Sequence, residues 1–199
     1  SALAMDVNQG PLSRAREHIR SSGLDTYIET RLSDGLEKLR SEEADTVLIA
    51  GMGGMLTVRI LEGGFHCLDT VQELILQPQS DIQEVRKWLY VHGYRIVAED
   101  VAEEDGKYYP MMKAVPGREG MPQEAELYYG NVELQRAPDL LCACLLKQLA
   151  REQNVMESLR RCGKEGTKRA REVECAMERI GDQMRRLRAA KEGEEAFHI

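Results

Sequence analysis

Residues Leu48–Leu56, LIAGMGGML, decide how the rest of the chain is read. An apolar run, Leu48-Ile49-Ala50, breaks into Gly51-Met52-Gly53-Gly54, and apolar residues then resume. Glycines at the end of a buried-strand pattern permit positive φ and close approach of a ligand or a second backbone. A phosphate loop, a cofactor loop and a tight strand-to-helix turn all fit that description. A dinucleotide fingerprint needs Gly-x-Gly-x-x-Gly after the first strand of its unit, but Leu56 stands at the third glycine position and the loop follows the third visible strand. No Gly-Lys-Ser or Gly-Lys-Thr follows, which excludes a Walker loop.

Outward from this loop, short apolar runs alternate with helical patterns. Ala2 to Val7 reads as a strand ending at the acidic Asp6; Gly10-Pro11 breaks it and opens a helix to about Ser22. Tyr27 to Leu32 is a second strand, followed by Ser33-Asp34-Gly35. Asp45 to Ala50 is a third, and Val47-Leu48-Ile49 fits a parallel strand buried on both faces. Gly53 to Leu61 is a short helix. Glu73 to Leu76 is a fourth strand ending in Gln77-Pro78, and Ser80 or Asp81 is placed to cap the next helix, which ends near Gly93. Tyr94 to Val101 and Tyr108 to Val115 flank the acidic turn Glu103 to Lys107, an antiparallel hairpin. The pattern predicts an α/β doubly wound sheet with helices on both faces over 1–116, where ligands bind at the carboxyl ends of the strands.

Pro116, Gly117, Gly120 and Pro122 mark a linker over 117–137. A helical hairpin over 138–192 follows, with a tail over 193–199. Cys142, Leu145, Leu149, Met156 and Leu159 on one arm, and Val173, Met177, Ile180, Met184 and Leu187 on the other, repeat at the 3–4 spacing of a two-helix antiparallel coiled coil. The net charge of −7 argues against a generic nucleic-acid binder. From Lys147 to Lys191, however, 13 Lys or Arg face 7 Asp or Glu, a balance of +6 that leaves −13 for the remainder. Lys164, Lys168, Arg169 and Arg171 cluster at the turn of the hairpin, and Arg185, Arg186 and Arg188 near its far end; they are the candidate RNA-phosphate ligands. No apolar run approaches the roughly 20 residues needed to span a bilayer. The five cysteines lack Cys-x-x-Cys spacing and a histidine cluster, and read as reduced structural thiols of a cytoplasmic protein without a metal.

The strand ends place chemistry side by side. Asp6 can bind both hydroxyls of a ribose, Asp34 can accept from an adenine amino group, and the glycine loop lets a flat substrate approach a cofactor. This layout, closed by a terminal antiparallel hairpin, is that of a class I S-adenosylmethionine (SAM) methyltransferase with a Rossmann-like sheet. The loop is then expected to tolerate no side chain at Gly53.

Ala4-Met5-Asp6-Val7-Asn8-Gln9-Gly10-Pro11, Ile49-Ala50-Gly51-Met52-Gly53-Gly54 and Leu74-Ile75-Leu76-Gln77-Pro78 resemble the TrmK family of bacterial tRNA adenine-N1 methyltransferases, which act at adenosine 22 in the D-arm region. The resemblance extends over nearly all the chain. It implies that Asp6, with Val7 and Asn8, binds the SAM ribose and that Ser33-Asp34-Gly35 binds the adenine region. It places Ala50 to Gly53 beside the methionine moiety and the target base, with Gln77 on another base edge. It also implies an upstream strand, ahead of Ser1 and central in the sheet between the strands ending at Asp6 and Ala50, with a Gly-rich Asp-His loop that holds the cofactor's methionine part. Adenine N1 carries an in-plane lone pair, so Gly51, Met52, Gly53 and Gln77 need only position it; no general base is required. The competing readings are a non-catalytic RNA-binding or assembly module and a small-molecule methyltransferase; the oligomeric state is open.

Overall fold

The computed structural model describes residues 1–197, with side chains to residue 192. The body runs β1 (Ala2–Asp6), α1 (Gln9–Ser21), β2 (Ile28–Leu32), β3 (Thr46–Met52), α2 (Gly54–Gly63), α3 (Phe65–Leu68), β4 (Glu73–Pro78), α4 (Ile82–Val91), β5 (Tyr94–Glu104) and β6 (Lys107–Pro116). β1 and β2 pair in parallel, with Asp6 opposite Leu32. β3 and β4 pair in parallel, and β6 lies antiparallel between β4 and β5. The strands form two sheets, β1-β2 and β3-β4-β6-β5, and the break falls between the strands that end near Asp6 and Ala50, where the resemblance places a further strand.

Alternation along the strands builds the main core. Val47, Ile49, Leu74, Leu76, Ile96, Met112 and Ala114 point to one face and pack with Leu61, Val85, Trp88 and Leu89 of α2 and α4. The opposite face is not covered in the same way. Leu48 is 66% exposed, so the Val47-Leu48-Ile49 run is buried on one side only, contrary to expectation. Both large helices of this half pack against the Val47 side, and α1 belongs to β1 and β2.

β5 and β6 extend past their expected ends and leave a two-residue turn. Asp105 (φ 50°) and Gly106 (φ 71°) both take the left-handed region, the geometry whose twist matches that of a hairpin. Glu99 lies opposite Met112, which lies opposite Leu76. β5 therefore runs about three residues, roughly 10 Å, beyond the end of β4 at 3.3 Å per residue.

The segment read as a linker is ordered. It holds α5 (Glu124–Tyr129) and a 3-10 turn, Val132–Leu134. α5 starts with a capping box: the Gln123 and Glu126 side chains each accept the other's backbone N–H. α6 (Pro138–Arg161) and α7 (Lys168–Phe197) follow. They pack antiparallel, Met156 against Ala170 and Val173 at one end, Leu141 and Leu145 against Ile180 and Leu187 at the other. Leu145, Met156, Val173, Ile180 and Leu187 of the expected seam are buried, and the rest are half-buried. The α7 backbone continues to Phe197 through most of the expected tail, and 198–199 lie outside the described residues. Among the described residues no helix is long and apolar enough to cross a membrane, and all five cysteines are free thiols.

Candidate functional site

Two groups of strand ends carry the candidate residues. On the smaller sheet the Asp6 carbonyl accepts the Ser33 N–H at 3.0 Å, which joins the two loops. Asp6 Oδ1 accepts the Asn8 N–H at 2.7 Å. Its second carboxylate oxygen and the carboxylate of the exposed Asp34 have no hydrogen-bond partner among the described residues. Val7 and Asn8 are exposed, and the Asn8 side chain does not cap α1. Ser33 is different: it is buried and its hydroxyl accepts the Lys38 N–H at 3.1 Å, so it shapes the loop from inside. Gly35 (φ 52°) lies against Ile60 of α2, where a Cβ would come within 2.9 Å of that side chain. Arg31 braces the loop by bonding both Glu43 oxygens at 2.6 Å and donating to the Lys38 carbonyl at 2.8 Å. That guanidinium, aided by the Arg40 N–H, pulls the Glu43 carboxyl down to about 2.

On the larger sheet each glycine of the opening motif has its own reason. Gly51 (φ 75°) sits in a register shift between Ala50 and Met52, and its N–H is accepted by Gln77 Oε1 at 2.9 Å instead of by a ladder carbonyl. Because only Oε1 can accept, the Gln77 carboxamide is held in one orientation, and its Nε2 is buried without a partner. The Met52 carbonyl accepts the Gln79 N–H at 2.8 Å, and Gly53 O accepts both the backbone N–H and the hydroxyl of Thr57. Gly53 (φ −66°) is conformationally ordinary, and a Cβ there would lie 3.2 Å from the Ser80 hydroxyl. Gly54 is the intolerant one. It donates to Ser80 O at 2.9 Å, and a Cβ on it would fall 2.3 Å from that oxygen and 2.5 Å from Asp81 O. Asp81 starts α4 in the left-handed region (φ 47°), with no side-chain cap bond. The turn after β3 is therefore strapped to the turn after β4 at three levels. No hydrogen bond among the described residues joins this group to the Asp6–Asp34 group.

The basic residues divide sharply. Lys168 and Arg169 pair with Glu172, and Arg185 pairs with Asp182, all on exposed α7 surface. Arg186 is drawn into the fold: it bonds Glu126 at 3.1 Å, Asp182 at 3.2 Å and the Gln123 side chain. Asp182 stands four residues away on the same helix, but Gln123 and Glu126 lie in the presumed linker, so sequence alone could not see this. Lys164, Arg171 and Arg188 are exposed and make no ion pair among the described residues. Beneath α5 lies a buried pair that the sequence reading missed. Arg86 Nε and Nη2 donate to Glu99 Oε1 at 2.9 and 2.7 Å, and Nη1 donates to the Leu127 and Tyr128 carbonyls. Glu99 Oε2 accepts the Asn131 N–H at 2.6 Å.

Parallel strands with glycine-rich and acid-bearing carboxyl ends, next to an antiparallel hairpin, put the molecule in the Rossmann-like class of α/β proteins. Within that class the chain belongs to the TrmK family: the family model described as tRNA (adenine(22)-N(1))-methyltransferase matches residues 1–182. A tRNA (adenine(22)-N(1))-methyltransferase of Bacillus subtilis is 41% identical over 116 residues, 58% of this chain and 49% of that protein. The chain spans about half the length of the curated relatives it matches. The crystal structure of the B. subtilis m1A22 tRNA methyltransferase TrmK superposes with a TM-score of 0.71 at 29% identity, covering 95% of this chain and 81% of that one. TrmK of M. capricolum, solved with S-adenosyl-homocysteine, superposes at 0.79 and 22% identity over 92% and 79% of the two chains; at that identity the likeness speaks for the fold alone.

Proposed function

We propose that this protein transfers a methyl group from S-adenosyl-L-methionine to adenine N1 of tRNA, at position 22 in the D-arm region, in the cytoplasm. The observation that carries this reading is Asp6: a strand-end carboxylate with one oxygen held by Asn8 N–H and the other unpartnered, in a chain of the TrmK family. Asp6, Val7, Asn8, Asp34 and Gly35 would hold the ribose and adenine of the cofactor, Ser33 acting through its loop, and Ala50 and Gly51 would face its reactive end. Gly51 has space for such a neighbour, since its nearest would-be contact is Gln79 Nε2 at 4.0 Å. The bound cofactor supplies an electrophilic sulfonium methyl. The chain supplies position. Gln79 and Thr57 hold the Met52 and Gly53 carbonyls in place, and backbone carbonyls of the Gly51–Gly54 turn would fix the adenine amino group. Gln77 keeps that turn in place, and its buried, unpartnered Nε2 would hold another base edge. Alignment of this kind lowers a barrier by roughly 7–11 kcal/mol without a general base. Flipping the base out of a folded tRNA costs a few kcal/mol, which phosphate contacts from the coiled-coil arm offset.

Calorimetry tests the reading. Asp6→Ala should weaken SAM binding by about 1.5–3 kcal/mol, the loss of hydrogen bonds to a charged group. Asp6→Asn, which keeps an acceptor for Asn8, separates the ribose contact from the local turn. Equal SAM affinity in wild type and Asp6→Ala removes Asp6 from the site. No SAM binding by a protein that includes the upstream strand favours the RNA-binding or assembly module.

A further inference from the structure

α5 is gripped from both sides. From the body, Arg86 donates to its last carbonyls, Leu127 O and Tyr128 O, which a helix C-terminus leaves without intrahelical partners. Glu99 takes the Asn131 N–H, and a Cβ on Gly130 (φ 90°) would lie 2.2 Å from Glu99 Oε2. From the arm, three α7 residues one turn apart reach the same element. Arg179 pairs with Glu124 at 3.1 Å and stacks over the Tyr128 ring at 4.2 Å. Gln183, fully buried, donates to Gly130 O at 2.7 Å. Arg186 bonds Gln123 and Glu126, the two residues of the capping box. Spacings of four and three put all three on one face of α7.

The direction of the arm gives this grip its meaning. α6 runs beside β5 in the same sense: Leu141 packs with Val101, and Lys147 bonds Gly106 O at the hairpin tip. It continues 14 residues past Lys147 to Arg161, about 21 Å at 1.5 Å per residue. The arm therefore leaves the body on the side where β3 and β4 end. Its angle decides where anything it holds meets Gly51–Gly54.

We propose that Arg179, Gln183 and Arg186 are positioning residues that read α5 as an adaptor. They fix the arm relative to the strand ends and so bring a bound RNA to the site. This extends the methyltransferase reading and rests on it for the RNA. Arg186 then serves the arm's angle and is not a phosphate ligand.

The test uses the full chain, an unmodified tRNA transcript carrying adenosine at position 22, and Arg179→Met/Arg186→Met. Small-angle scattering should show a broadened distance distribution, with SAM affinity unchanged. The salt slope of tRNA binding should also stay unchanged, while kcat/KM for methyl transfer falls about tenfold to a hundredfold, the scale of a misplacement near 1 Å. Arg179→Lys/Arg186→Lys, which keeps a cation facing Glu124 and one facing Glu126 and Asp182, should restore the scattering profile and most of the rate. A salt slope flattened by roughly 0.9 per arginine makes them phosphate ligands and overturns the proposal. So does an unchanged scattering profile in the double variant. The scattering results of the methionine and lysine variants stand even if the protein transfers no methyl group, so failure of the adaptor and failure of the methyltransferase reading are told apart.

Discussion

Gly54→Ala is the sharpest probe of the opening motif. The added Cβ would lie 2.3 Å from Ser80 O and 2.5 Å from Asp81 O, both backbone atoms that cannot rotate away. To restore ordinary contact, near 3.3 Å, the two turns must separate by about 1 Å, which breaks the Gly54 N–H to Ser80 O bond of 2.9 Å. The lost bond is worth about 1 kcal/mol and the overpacking about 1–3 kcal/mol, so the variant should lose roughly 2–4 kcal/mol. Urea unfolding at constant m, or a fall in Tm of about 5–15 °C, reports it for a chain of this size. Two neighbours calibrate the effect. Gly51→Ala meets only Gln79 Nε2 at 4.0 Å and should cost about 1–2 kcal/mol for its left-handed φ. Gly53→Ala (φ −66°) displaces a rotatable hydroxyl and should cost least. A Gly54→Ala variant within ~0.5 kcal/mol of wild type would refute the strapping of the two turns, because surface-like tolerance has that size.

Two further outcomes are expected. Arg86→Met should destabilise by about 3–5 kcal/mol, since it strands Glu99 in the interior, and Arg86→Met/Glu99→Leu should recover part of that in a double-mutant cycle; additive losses would mean the pair is not coupled. Glu43 ionises at about 2, against an ordinary value of about 4.3, so its pairing with Arg31 stabilises the fold at neutral pH and is lost as pH falls from about 4 through 2. Glu43→Gln should flatten the stability profile in that window, and an acid limb identical to wild type would contradict the assignment.

Periodicity made most of the body legible. The strand starts are placed within a residue or so because each apolar run begins abruptly after polar or glycine residues, whereas β3, β4 and β5 run two or three residues past their expected ends. The glycine motif was legible as special, but its division of labour was not. Gly54 matters because Ser80 and Asp81, 26 and 27 positions on, cross its backbone, and no local pattern encodes that approach. The same holds for Leu48, whose apolar run looks two-sided until helices are assigned to faces. The linker carried a readable signal that was passed over: Gln123 and Glu126 stand three apart, a capping-box spacing directly after Pro122. With α5 in view, Arg179 and Arg186 lose their resemblance to the free cations Lys164, Arg171 and Arg188.

The split of the strands into two sheets bears on local opening. A pair of strands is marginal on its own, and β1, α1 and β2 form such a unit beside a four-stranded neighbour with the larger core. For residues 1–199 alone, amide hydrogens of Ala2–Asp6 and Ile28–Leu32 should therefore exchange before those of β3, β4 and β6. Asp6 and Asp34 are carried by the less protected half. A ligand bound there would raise its protection by mass action, about 2.7 kcal/mol at a hundred times Kd, so occupancy of the proposed site would become part of what keeps β1, α1 and β2 closed.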